Sequence, residues 1–384
     1  MLNSDQRRYI LAIITALLCE RINIVWFPLL IPLETERRKI DIIHVAGLTS
    51  TQYAAAWVSS SFLAVCFLKF GARSGAVFSA INTVAITEFK DFVQQVKAIA
   101  SIAYIVGCII SIVLASAALD IAGIWASCIA TAVFGLIFLA VTIFIMPSLI
   151  TVAQSTPKTV AEIGGSRVRK LLSLPELIAT LTTHSACFAL MSASGTGLAP
   201  FLRNTFDLSS LGTGVVSSLS FLGMALGAVV WAHVGQKFSS RRVSTLWTAL
   251  ALGALSCFVG PDPWMCSLSP SIIITTIGLC MGGFLLACQH VSNAEELRIM
   301  ALARGFSSGM ETGSALGSLL AASEDVSGLV GPVVGALLNR EWGFPRMMTL
   351  TGFAVFIFGF ARMVILIFQD CRLMRLSKLS AVTI

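Results

Sequence analysis

Charge is what this sequence has least of. Only 12% of its 384 residues are charged while 56% are apolar, and that imbalance excludes a soluble globular fold, because a soluble core cannot hide so much apolar surface. Nucleotide-binding motifs are missing too. Without a P-loop there is no basis for a pump driven by nucleotide hydrolysis, and without an aromatic-basic patch there is none for a nucleic-acid partner. The ten cysteines lie mostly inside apolar runs with no C-x-x-C pair, and the four histidines have no ligand spacing. Neither a disulfide framework nor a zinc site is expected, and no cofactor.

What the chain does contain is long uncharged windows. They run from Ala98 to Leu119, Ile121 to Pro157, Leu177 to Leu202, Leu208 to Gln236, Val243 to Pro261 and Pro263 to Ala294. A bilayer core about 30 Å thick needs roughly 20 helical residues, so these are membrane spans and the fold class is an all-α multi-pass membrane protein. Two further spans are interrupted by charge: Tyr9 to Leu33 holds Glu20 and Arg21, and Met347 to Gln369 holds Arg362. The first could be mistaken for a signal peptide after Arg7-Arg8, but no small-x-small cleavage site follows Cys19 and apolar residues resume at Ile22. Proline inside the run "GLVGPVVGALLNREWGF", from Gly328, suits a kinked helix packed on protein, where neighbouring helices satisfy the freed carbonyl.

Charge distribution supplies an orientation. If the spans alternate, one side collects Arg7, Arg8, Lys90, Lys97, Lys158, Arg167, Arg169, Lys170, Lys237, Arg241, Arg242, Arg298, Arg304, Arg372, Arg375 and Lys378. The positive-inside rule makes that side cytoplasmic, with both termini on it, and the net charge of +7 follows from topology. The count treats Tyr53 to Thr87, with Lys69 and Arg73 at its middle, as one span. Two helices there would each be short for a bilayer and would invert every later loop. The expected organisation is about ten helices: a shortened bundle over residues 1–151, a basic loop over 152–171, six helices over 172–370 and a cytoplasmic tail over 371–384.

The halves echo each other. "LTSTQYAAAWVSSSFL" from Leu48 parallels "LSSLGTGVVSSLSFL" from Leu208, and "SIVLASAALDIAGIW" from Ser111 parallels "GPVVGALLNREWGF" from Gly331. The second pair closes on Gly123 and Gly343, each followed by an apolar-aromatic restart. Between these landmarks the first half is short by about 60 residues, the length of two spans with their loops. Two related halves joined by a basic loop, with this Gly-Pro helix in the penultimate position, resemble the major facilitator superfamily. The second half, through "KLLSLPELIATLTTHSACFAL", "LGMALG", "NAEEL", "RGFSSG" and "GLVGPVVGALL", resembles its vesicular amine transporter branch, nearest to the vesicular polyamine transporter. That similarity spans residues 170 to 345, and in the first half it covers helix one and the part from "FLAVCFLKF" onward. The chain departs from the family where the first-half Gly-Pro antiporter signature falls on Ser111-Ile112 and Ala115-Ser116, and where a loop aspartate falls at Gly235.

Acids inside the membrane are the candidate chemistry, since each costs roughly 2.5–3.5 kcal/mol at the bilayer centre on insertion scales. Glu20 sits near the midplane of the first helix, at the distance from Pro32 at which amine carriers of the branch place a carboxylate, and Trp26 and Phe27 could add cation-π contact. Glu324 and Asp325 form a second acidic cluster in the helix of Gly331, Pro332 and Gly335, about one turn beyond the family's position at Ala321; pairing with Arg362 is the structural alternative. The family's other acid falls at Phe284. Glu296 matches an acid at the cytoplasmic rim, a gate or loop contact. Gly331, Pro332 and Gly335 are expected to let their helix pack closely at the gate between halves. His184 reads more readily as a packed polar residue than as a proton relay.

The resemblance implies a secondary transporter exchanging protons for an organic cation, an amine or polyamine, driven by a proton gradient in a vesicle or other intracellular membrane, the plasma membrane being the alternative. Its partners would be the lipid bilayer, the small cation and protons. The competing reading is a transport-incompetent shortened isoform or decayed paralogue that keeps the membrane fold. Tags inserted at residue 160 and at the C-terminus should both be accessible from the cytosol in selectively permeabilised cells; opposite sidedness would mean that Tyr53 to Thr87 is two helices.

Overall fold

The computed structural model describes residues 93–145, 168–237, 241–265, 268–307 and 310–382. Glu20, the first two expected spans and most of the basic loop lie outside them. The described residues form α1 (Val93–Ile145), α2 (Pro175–Phe206), α3 (Ser210–Lys237), α4 (Arg241–Val259), α5 (Ile272–Ala303) and α6 (Met310–Val382). Among the described residues, five spans are apolar and long enough to cross a bilayer. Val243–Val259 is a shorter apolar helix. Residues 371–382, expected as a tail, continue α6 as helix, as a run of good helix formers would.

α1 and α6 are each two helices joined at one residue. Gly123 (φ 79°, ψ −172°) and Gly343 (φ 78°, ψ 165°) break them with nearly the same backbone. That region of dihedral space is essentially reserved for glycine, which is why the two echoing segments both end on one. Where α3 begins, the Leu-Ser turn caps the helix: Ser209 Oγ accepts from Gly212 N at 3.1 Å, and Asp120 of α1 accepts from Leu211 N at 2.8 Å. Two orphan donors of the first turn are thereby satisfied, one of them across helices.

Small residues set the packing, as close approach of membrane helices requires. α2 and the first part of α6 run parallel, and the contacts climb together: Ser327 Oγ donates to Ser185 O at 2.8 Å, Gly331 lies against Ala189, and Gly335 against Ala193. A β-carbon at Gly335 would sit 2.7 Å from Ala193 Cα, so the contact is backbone on backbone. This seam lies within the second half. α4 and the second part of α6 run antiparallel along Thr245–Arg362, Leu250–Gly359, Ser256–Gly352 and Gly260–Pro345. Trp231 of α3 donates its indole N–H to Phe284 O of α5 at 3.0 Å. Outward-facing side chains such as Ile121, Ile273, Trp247 and Phe368 are largely exposed and apolar. At the end where α4 closes, Arg346 lies 6.0 Å from the Trp264 ring and 3.4 Å from Asp262, the aromatic-cationic pairing of a membrane interface.

The joint at Gly343 allows a clean test, because an added β-carbon there would meet nothing nearer than Pro345 Cδ at 3.9 Å. Gly343→Ala should therefore lower stability through the backbone alone, by about 1–3 kcal/mol. Gly282→Ala, where the nearest atom is an ordinary 3.7 Å away, should change the thermal midpoint in detergent little; equal midpoints for the two variants would refute the strain argument.

Candidate functional site

Polar side chains cross the interior between α2, α4, α5 and α6 in one continuous chain. Its inner end is Glu324, about four turns into α6. Glu324 Oε1 lies 3.2 Å from His184 Nε2 of α2 and 3.3 Å from His290 Nδ1 of α5. Phe188 sits between the imidazoles, with centroids 4.7 Å from His184 and 5.8 Å from His290. His184 is fully buried, whereas the Glu324 side chain keeps 12% of its surface. Its neighbour Asp325 is half-buried and lies about 100° round the helix; the two acids do not act as a pair against the histidines.

From His184 the chain continues along one face of α5. Asn293 Nδ2 lies 2.8 Å from His184 Nδ1 and donates to Gln289 Oε1 at 3.1 Å. Gln289 Nε2 donates to Thr248 Oγ1 at 2.9 Å and to the Thr245 carbonyl of α4. Thr245 Oγ1 donates to Glu296 Oε2 at 2.8 Å and accepts from Arg362 Nη2 at 2.9 Å, and the same Nη2 donates to Glu296 Oε1. Glu296 and Arg362 are at most 1% exposed.

One expectation changes here. Arg362 does not pair with Glu324; it is buried against Glu296, because the second part of α6 lies on α4 and α5 at that level. Glu296, expected at the cytoplasmic rim, stands level with the first turns of α4 as one partner of that buried ion pair. At the basic end itself Arg304 grips Glu176 of α2 with Nε and Nη2 at 2.8 and 3.1 Å, and Arg298 pairs with Glu295 on its own helix. Gln289, His290 and Asn293 were missed from sequence. The signal was there: in "QHVSNAEEL" residues 289, 293 and 296 share a helical face inside an apolar span, where unpartnered polar groups are costly.

No protein-family model and no curated protein sequence matches the chain. Solved structures do resemble it. The nucleoside transporter NupG is 12% identical with a TM-score of 0.62, over 93% of this chain and 98% of that one. The E. coli fucose:proton symporter FucP is 14% identical, TM-score 0.53, over 93% and 92%. The human organic anion transporter MFSD10 is 16% identical, TM-score 0.50, over 91% and 82%. The chain has the major facilitator fold. All three structural neighbours are transporters rather than enzymes, and at these identities the likeness concerns the fold.

Removing one partner of a buried ion pair costs about 3–5 kcal/mol, while an apolar replacement of both is often neutral. Arg362→Met should therefore destabilise the protein strongly, and Arg362→Met with Glu296→Leu should recover most of the loss in detergent melting curves. A double variant no better than the single one would refute the pairing.

Proposed function

We propose that the chain is a secondary transporter that exchanges protons for an organic cation, an amine or polyamine, across a vesicle or other intracellular membrane. The observation that carries this reading is Glu324, an acid in the interior of the bundle held by two imidazoles and still partly accessible. A lone carboxylate there attracts a cation, and a proton taken up by the carboxylate or by either imidazole removes that attraction. Proton and cation thus compete for one charge, which is the requirement for exchange. Glu20, outside the described residues, is assigned the matching carboxylate of the first half on the strength of the family resemblance, and Asp325 a supporting negative charge beside the site. The substrate site would lie at the midplane between the halves, where carriers of this architecture place it.

The reading of a fold-retaining, transport-incompetent protein also has an observation behind it. α1 runs unbroken from Val93 to Gly123 with Ser111 and Ser116 buried, where the family's antiporter signature places a proline kink. The two readings separate in proteoliposomes carrying an outwardly directed proton gradient. Gradient-dependent uptake of a radiolabelled polyamine is expected of the wild type, and Glu324→Gln should reduce it at least about tenfold, a loss of about 1.4 kcal/mol or more. Absence of uptake in well-folded wild type would favour the incompetent reading, and full activity in Glu324→Gln would remove this acid from the mechanism.

A further inference from the structure

We propose that Asn293 and Gln289 are positioning residues that carry the protonation state of His184 to the Thr245–Glu296–Arg362 cluster by reversing their side-chain amides in turn. The inference rests on the reading that His184 and Glu324 take part in proton exchange. It follows from counting donors and acceptors. An amide NH2 only donates, so Asn293 Nδ2, 2.8 Å from His184 Nδ1, makes that nitrogen an acceptor. The ring proton is then on Nε2, facing Glu324 Oε1 at 3.2 Å. This is the hydrogen bonding of a neutral imidazole.

A second proton makes both ring nitrogens donors. Asn293 must then turn its Oδ1 toward the ring, and that oxygen has no hydrogen-bond partner among the described residues. The turn sets Oδ1 against Gln289 Oε1, two acceptors in contact, where Nδ2 had bridged them. Gln289 relieves this by reversing as well, which withdraws its Nε2 from Thr248 Oγ1 and from the Thr245 carbonyl. An oxygen now faces that carbonyl, so α4 is pushed from α5 at its first turns. Thr245 is also the residue whose hydroxyl joins Glu296 to Arg362. One proton at mid-bundle is thereby felt at the ion pair holding α4, α5 and α6 together.

Among the described residues the charged and titratable groups around this path are few. Glu324 of α6 faces His184 at one end, and His290 of α5 meets the same carboxylate oxygen. Glu296 and Arg362 lie at the other, with the thiols of Cys187 and Cys288 near them. α4 contributes the hydroxyls of Thr245 and Thr248.

The test uses the full chain, without substrate, in lipid nanodiscs. Hydrogen–deuterium exchange is followed by mass spectrometry in the peptide covering 241–250, corrected for intrinsic rates. Between about pH 8 and pH 5, the range in which histidine changes charge, wild-type protection of this peptide should fall about tenfold. His184→Gln and Gln289→Met should abolish the pH response. Asn293→Asp, which offers an acceptor to the ring at both pH values, should show the low protection already at the higher one. A pH-independent wild type, a Gln289→Met variant that responds like wild type, or an Asn293→Asp variant protected at high pH would each overturn the proposal. A wild-type response in a protein that carries no amine in proteoliposomes would discard the transport reading while retaining the relay.

Discussion

A guanidinium cannot sit inside a lipid-embedded bundle without an opposite charge, and Arg362 answers that requirement with Glu296. The arrangement around it follows from this pair. The second part of α6 must lie where its arginine reaches α5, α4 must supply the hydroxyl of Thr245 between them, and the glycine-lined seam from Gly253 to Gly359 lets α4 and α6 come close enough for both. Replacing the pair by hydrocarbon is not generally harmful to stability. What the ionic version adds is register: a buried charge tolerates one axial and rotational placement of the helices, where leucines would tolerate several.

The two ends of the polar chain differ in character. Around Arg362 the charges cancel and are closed off from solvent, which suits a joint. Around Glu324 one carboxylate meets two imidazoles and keeps some of its surface open, the features on which the proposed exchange rests. Between them lie two amides, groups that can present either a donor or an acceptor to the same neighbour without altering shape. Apolar side chains in those positions would insulate the ends from each other.

Much of the fold was legible because membrane helices write themselves in hydropathy and stop at recognisable signals. The windows from Leu177, Leu208 and Pro263 became α2, α3 and α5, and the glycines at 123 and 343 became breaks of the same kind. Helix azimuth was not legible. Hydropathy is uniform round these helices, so nothing in the sequence says that Glu324 turns to His184 and His290 while Arg362, fitted to either acid by depth alone, turns to Glu296. His184 was therefore read as a packing residue although it touches the acid. The face formed by Gln289, Asn293 and Glu296 could have been found by asking where polar residues recur at helical spacing within an apolar span, a question that charge counting by itself does not raise.

The breaks at Gly123 and Gly343 have a mechanical consequence. Each joins two helices through a single residue, leaving no slack between the helix that enters and the helix that leaves. A loop of several residues lets two spans slide or tilt independently; a one-residue elbow transmits axial displacement and leaves rotation about its own two dihedrals. Whatever moves the Glu324 segment along its axis must therefore also move the segment bearing Arg362, and the two ends of the polar chain are coupled through the backbone as well as through the side chains between them.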